Sequence, residues 1–409
     1  MKRGISSSPL RQQHWWRHVD WFLLGAVTGL AVFSVMLVWS ATSQRDVLTG
    51  GDSGLFFRKQ LTNVLIGGAL MAAVWAAGQR WMRVGVAAVY LGALAGLVWV
   101  LASGTTVNGS RSWLDVGGMS LQPSEFAKLA VVVAMAMVFA ERARDTWLVT
   151  WRTVLAMLAV AAVPAVLILA QPDLGTMLVL SATVLGVLAA AGTPRRWLLG
   201  LVVVGVAGSA AAVVGGLLKQ YQIDRFMAFT NPALDPQGAG YNTEQARIAI
   251  GNGGLWGQGL FDGTQTTAGF VPEQHTDFIF TVAGEELGLA GAAVLIALLG
   301  VVLWRSLRLS VKSQDPFTRV AAAGIACWFG FQAFQNMGMC LGIMPVTGVP
   351  LPFVSYGGSS MFAGLLAVGL LQNLYARHAR VGRRDESDLR AALAVRRAKE
   401  PIVESYISR

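Results

Sequence analysis

Between Val271 and Gly288 the chain reads Val-Pro-Glu-Gln-His-Thr-Asp-Phe-Ile-Phe-Thr-Val-Ala-Gly-Glu-Glu-Leu-Gly, so Glu273, His275, Asp277 and the Glu285/Glu286 pair stand where a long polar stretch gives way to an apolar one. Ionisable groups at such a boundary are costly to keep and mark sites of function. A carboxylate here can take a proton from an attacking hydroxyl, and Asp277, at the edge of the apolar segment, is the candidate general base. A helix N-terminus would keep it ionised and burial would raise its pKa; the position equally suits a capping aspartate, and the two roles are compatible. Glu273, His275 and Asp277 alternate, so in an extended segment they share one face and could hold a divalent cation, magnesium or manganese; in a helix they diverge. His275 otherwise orients the loop or touches substrate. If a helix runs on from Asp277, Glu285 lies two turns below it, about 12 Å deeper, in a different site with a structural or regulatory hydrogen-bonding role.

Two further polar phrases resemble each other, Gln122-Pro123-Ser124-Glu125 and Gln171-Pro172-Asp173. Proline in a first helical turn loses no needed hydrogen bond, and a following acid favours the positive helix end, so capping alone accounts for both. It does not account for Lys128, which falls three residues after Glu125 on the same helix face, inside an apolar run. Such a pair is either glue between helices or a substrate contact. The segment 344–360 has three prolines and three glycines yet is largely apolar. Non-helical backbone of that kind folds back into a helix bundle, shielded by protein or lining a wet cavity.

The elements that must position these groups are membrane helices. Of the 409 residues 54% are hydrophobic and 13% charged, and the mean hydropathy is +0.54, values outside the soluble range. Apolar runs recur at 21–40, 61–78, 84–102, 126–140, 154–170, 177–191, 197–217, 278–304, 320–340 and 361–374. The expected fold is an all-α polytopic bundle of about ten transmembrane helices, residues 21–376, with a large extracytoplasmic loop at 218–276 before helix 8. A cytoplasmic tail at 1–20 and a basic cytoplasmic tail at 377–409 flank it. The first run is long enough to span a bilayer and is read as a retained helix rather than a cleaved signal. Loops on the side of the termini hold 11 Lys/Arg in 38 residues, against 7 in 125 on the other side, so both termini are placed in the cytoplasm. With the tails, 24 of the 32 basic residues fall on that face. The net charge of +10 is thereby explained without nucleic acid. Arg377, Arg380, Arg383 and Arg384 suit anionic membrane lipids, and residues 389–396 suggest a short surface helix.

The 59-residue outer loop is too long for a plain connector. Its glycines lack the strand–turn–helix setting of a nucleotide site, and residues 243–250 suit one or two helical turns on the membrane surface. Cys327 and Cys340 lie thirteen positions apart on one apolar segment, about 20 Å along a helix, which excludes a disulfide between them.

Taken in order, the phrases Asn108–Trp113, Gln122–Glu125 with Lys128, Gln171–Thr176, Asp235–Tyr241, Ile248–Gly251, Pro272–Phe280 and Pro345–Ser360 resemble the shape, elongation, division and sporulation family of polytopic bacterial proteins. They cover the chain from the first span to the last. The resemblance implies a peptidoglycan glycosyltransferase that joins lipid II into glycan strands at the outer face of the cytoplasmic membrane, with a class B penicillin-binding protein as partner. It places catalysis on Asp277 and makes Gln122, Glu125, Asp173, Glu273, His275 and Ser359 candidate substrate contacts. Glycan polymerisation expels a polyprenyl pyrophosphate, so it needs a cationic site as well as a base; Lys128 and Arg111 are the first candidates, with Lys219, Arg225 and Arg247 behind them. Each of these cations has a headgroup-binding role as its alternative. The phrase Gly263-Thr264-Gln265 and residues 121–129 look more like the elongation branch of the family. The long tails and Gly284-Glu285-Glu286 leave the division branch open. A lipid II flippase and a scaffold that activates its partner are the competing readings.

Overall fold

A computed structural model describes residues 19–107, 110–116, 119–143, 149–216, 219–230 and 238–379. The Asn108-Gly109 and Asp235-Pro236-Gln237 phrases, nearly all of the N-terminal tail, and Arg380, Arg383, Arg384 and the rest of the C-terminal tail lie outside them. The helices, in chain order, are α1 (Trp21–Ser43), α2 (Asp46–Thr49), α3 (Leu55–Ala76), α4 (Gln79–Ser103), α5 (Pro123–Arg142), α6 (Trp151–Ala170), α7 (Leu174–Ala191), α8 (Arg195–Val214), α9 (Gln220–Thr230), α10 (Ala239–Asn252), α11 (Thr264–Ala268), α12 (Ile279–Lys312) and α13 (Pro316–Cys340), followed by α14 (Gly358–Ala379).

The long helices coincide one for one with the ten apolar runs. Eight of them are apolar and long enough to cross a bilayer. The other two, α3 and α13, have 22 and 25 residues but carry inward-facing polar groups, Gln60 and Asn63 on one and Gln332, Gln335 and Asn336 on the other, all buried. Such groups give the bundle polar partners for irregular backbone. Caps set the helix starts: Asp315 accepts from the Thr318 N–H at 2.9 Å, and Asp173 from the Thr176 N–H at 2.9 Å. Pro123 sits in the first turn of α5, as its phrase predicts; Pro172 instead precedes the cap residue of α7.

The centre of the bundle is α5, α13, α14 and the start of α12, whose side chains are mostly buried. In contrast, α8 buries none of its residues and stands at the periphery. Three features depart from the expected plan. Residues 105–121 form a small antiparallel meander, β1 (Thr105–Val107), β2 (Ser110–Val116) and β3 (Met119–Leu121), in order β1-β2-β3. The described part of the 218–276 loop is largely helical; residues 243–250 belong to the 14-residue α10, whose Ala246 and Ala249 are fully buried where it packs on α12.

The third departure is a break in α12. Gly288 has φ +65°, a conformation open to glycine at little cost. The broken ladder is completed by the 218–276 loop: the N–H groups of Gln258 and Gly259 donate to the carbonyls of Glu285 and Glu286, both at 3.0 Å, while the N–H groups of Leu289 and Ala290 donate to the carbonyls of Gly254 and Leu255 at 3.0 and 3.1 Å. The arm after the break is about 36 Å long and crosses a bilayer unaided. The arm before it, Ile279 to Leu287, is packed into the bundle, with Ile279 through Glu286 all buried.

Candidate active site

A cleft of about 280 Å³ opens among β2, the starts of α5 and α7, α9, the turn before α12 and the loop from α13 to α14. Its polar groups include Asp277, Glu273, Asp173, Gln122, Ser359 and Arg225. The turn carrying Asp277 is tight: the N–H groups of Thr276, Asp277 and Phe278 all donate to the Glu273 carbonyl, at 3.2, 3.0 and 3.3 Å. From α13, Asn336 donates its amide to the carbonyl of Asp277 at 2.6 Å and to that of Val349 at 2.7 Å. One buried amide thus holds the turn and the returning loop together. Gln335 adds a bond to the Thr347 hydroxyl at 2.7 Å, and Gln332 one to the Pro350 carbonyl at 2.9 Å.

The Asp277 carboxylate accepts no hydrogen bond among the described residues. Gly348, with φ +68°, passes beside it, and a Cβ there would come within 3.2 Å of Oδ2. Asp277 lies outside the spanning helices, in a desolvated position. Burial pushes its carboxyl up to about 7, the Glu273 charge adds to the rise, Arg225 opposes it, and Asp173 adds again. Near neutrality such a group is poised to take a proton. The opposite wall is a linked strip. Asp173 accepts from the Thr176 hydroxyl at 2.7 Å and from the Gln122 amide at 3.3 Å, while the Gln122 N–H donates to the Ser359 hydroxyl at 2.8 Å.

The cation of the cleft is Arg225. Helix α9 is tied to the entrance of α7 by Tyr221, whose hydroxyl donates to the Pro172 carbonyl at 2.8 Å, and the Arg225 guanidinium lies one turn on, 5.6 Å from the Tyr221 ring centroid. Among the described residues it forms no ion pair. It entered the sequence reading only as one of several loop cations; the Tyr221/Arg225 spacing of four, which puts both on one helix face, was the available signal. Thr347 and Gly348 carried no chemical signal in sequence, since the loop fold alone brings them here.

Several expected contacts lie elsewhere. Lys128 is fully buried, bonded to Glu125 Oε1 at 2.6 Å and Gln332 Oε1 at 2.7 Å, with the Trp328 ring centroid at 5.4 Å. It ties α5 to α13 and does not line the cleft, nor does Glu125. Arg111 donates to the carbonyls of Gly104 and Ala102 at 2.8 and 3.0 Å, closing the end of α4 against the meander. His275 is buried between Phe56 and Tyr356, with ring centroids 5.1 and 5.5 Å away, and its carbonyl accepts from the Tyr356 N–H at 2.9 Å. It orients the loop. Burial lowers its pKa, with Glu273 opposing and Arg45 adding to the fall.

Because His275 turns into the aromatic cluster, Glu273, His275 and Asp277 do not converge, and no group of three His, Cys, Asp or Glu among the described residues is arranged to hold a metal ion. The residues present do not fit the expected divalent-cation site. Glu285 lies on the helical arm that begins two residues after Asp277, before the break at Gly288, and serves a different site. It accepts from the N–H groups of Gln265 and Thr266 at 2.7 and 2.9 Å and from the Thr266 hydroxyl at 2.7 Å, all in the outer loop. Glu286 accepts from Ser40 at 2.5 Å, three residues from the C-terminal end of α1.

Residues 20–380 match the model of the cell cycle protein family that includes FtsW, RodA and SpoVE. The chain is 35% identical to the peptidoglycan glycosyltransferase MrdB of Escherichia coli K12 across 91% of this chain and 97% of that protein. It is 36% identical to the probable peptidoglycan glycosyltransferase FtsW of Geobacter metallireducens across 88% and 95%. Among solved structures, a chain from a study of how a peptidoglycan synthase complex coordinates polymerization and crosslinking superposes with TM-score 0.73 at 29% identity, covering 88% of this chain and 98% of that one. The rod shape determining protein RodA of Thermus thermophilus superposes with TM-score 0.64 at 28% identity, covering 89% and 98%.

Proposed function

The chain belongs to the FtsW, RodA and SpoVE family and is a peptidoglycan glycosyltransferase; from that premise we propose that it polymerises lipid II in the Asp277 cleft, at the outer face of the cytoplasmic membrane. Asp277 takes the proton of the acceptor sugar hydroxyl. The freed oxygen attacks the anomeric carbon of the donor, the bond from that carbon to the pyrophosphate oxygen breaks, and the pyrophosphate leaves with the electron pair. Arg225 faces the charge that accumulates on it. The observation that carries this reading is the desolvated, unbonded Asp277 carboxylate opposite an unpaired guanidinium. Leu178 and Phe226, which line the cleft and are exposed, give its edge an apolar surface suited to a polyprenyl chain.

The Lys/Arg in the helix ends that flank the α3–α4 and α12–α13 connections, Arg80, Arg83, Arg305, Arg308, Lys312 and Arg319, support cytoplasmic termini and with them a cleft on the outer face. A class B penicillin-binding protein is the proposed partner, because a close structural neighbour works within a synthase complex that couples polymerization to crosslinking. A role in elongation is favoured by the likeness to RodA and by Gly263-Thr264-Gln265. Purified protein given lipid II in detergent micelles, where no leaflet has to be crossed, tests the activity. Glycan polymer supports the polymerase, and its absence in the presence of the co-purified partner favours the flippase reading.

A further inference from the structure

A second cavity, about 490 Å³, lies at the opposite end of the bundle, between the start of α1 and the ends of α12 and α14. Its lining includes Arg305, Arg308, Lys312 and His378, with Asp20 as the acidic member. Asp20 is committed: its Oδ2 accepts from Arg305 at 2.7 Å and its backbone exchanges two 2.9 Å bonds with Gln372. The nearby Asp315 is occupied at the start of α13 by Thr318. Arg308 and Lys312, one turn apart on α12, form no ion pair among the described residues, and both are exposed. Among the described residues, two cations without an ion-pair partner therefore face a hollow whose third cation, Arg305, is fixed by a carboxylate.

The surroundings identify what fills it. Trp21, Phe22 and Trp304, beside the cavity, are 56, 69 and 51% exposed, and the Trp304 ring centroid lies 5.4 Å from Arg305 and 5.3 Å from Arg308. Exposed aromatics at the ends of spanning helices sit at headgroup depth. Cations there meet lipid phosphates in the same plane, and the apolar rims meet the acyl chains. A soluble phosphate would use the first feature and leave the second without purpose.

We infer that this cavity binds the phosphate headgroup of an anionic phospholipid, through Arg308 and Lys312, with Arg305 held in place by Asp20. The site is independent of the Asp277 chemistry; the leaflet it serves, the cytoplasmic one, follows from the proposed orientation. The test uses the full-length protein in a neutral detergent and measures bound lipid by native mass spectrometry, and the thermal midpoint, on adding phosphatidylglycerol, phosphatidylcholine or inorganic phosphate. The wild type should retain phosphatidylglycerol at least tenfold more tightly than phosphatidylcholine and gain several degrees from it, with no gain from inorganic phosphate. The exposed pair Arg308→Gln/Lys312→Gln should lose that preference while keeping its lipid-free midpoint, and Arg196→Gln, outside the cavity, should not. Equal retention of the two lipids, an undiminished preference in the double variant, or the same gain from inorganic phosphate would overturn the assignment.

Discussion

Asp277 combines two demands that oppose each other in water. It must be ionised to accept a proton and basic enough to hold it, and a desolvated carboxyl near 7 satisfies both at neutral pH. A base raised in this way is protonated below its pKa, so polymerisation should fall about tenfold per unit as pH drops below about 7. Glu273 raises Asp277 and Arg225 lowers it. Glu273→Gln should therefore move the acid limb of the rate profile to lower pH, and Arg225→Gln should move it to higher pH while cutting the rate by about 10²-fold. Initial rates across pH 5 to 9, about two units either side of the base, read both shifts; limbs that stay put in both variants would remove Asp277 as the titrating group. Asp277 was singled out in sequence by its place at a polar-to-apolar boundary and by the family resemblance, although a capping aspartate suits the same position. Arg225 stood only among several loop cations, because the role proposed for it depends on Tyr221 anchoring α9 to Pro172, a contact 49 positions away.

At the scale of elements, α13 does the positioning. Its polar face, Gln332, Gln335 and Asn336, holds the returning loop at Pro350, Thr347 and Val349 and the Asp277 turn, while Lys128 and Glu125 of α5 lock Gln332 from behind. The buried ion pair is thus a support, and its removal should be read in stability. Lys128→Met leaves Glu125 buried and unpaired, at a cost of about 3–5 kcal/mol. The double variant Lys128→Met/Glu125→Gln should recover much of the lost thermal midpoint and with it the polymerisation rate. A double variant as unstable as the single would mean the pair does not act as a unit. The same reasoning explains what periodicity missed in α12. Hydropathy continues smoothly through Gly288, so the sequence reads as one helix; the break becomes visible only when backbone groups of residues 254–259 are seen completing its ladder.

Over the whole molecule, hydropathy located all ten long helices, since each apolar stretch must bury its backbone polarity in a helix to cross lipid. The meander at 105–121 escaped notice because three short strands carry too few residues for a period-two signal. Of the helices in the 218–276 loop, α10 was expected only as one or two turns at 243–250, because packing on α12 rather than an apolar stripe of its own sets its full length. Orientation rests on the Lys/Arg asymmetry and is open to a direct check. A cysteine at Ala268, an exposed position in the outer loop, should react with an impermeant maleimide in intact cells when Cys327 and Cys340 are replaced by serine. Reaction only after permeabilisation would invert the topology and move the cleft to the cytoplasm.

The central claim is that Asp277 is the base of glycan polymerisation, and its nearly isosteric variant tests it most directly. Asp277→Asn keeps the carbonyl bond to Asn336 and removes only the proton acceptor. Assayed with lipid II in detergent, beside wild type of equal thermal midpoint and equal partner binding, it should lose polymer by about 10²–10⁴-fold while still binding lipid II. Polymer at wild-type rate from a folded Asp277→Asn protein would contradict the account.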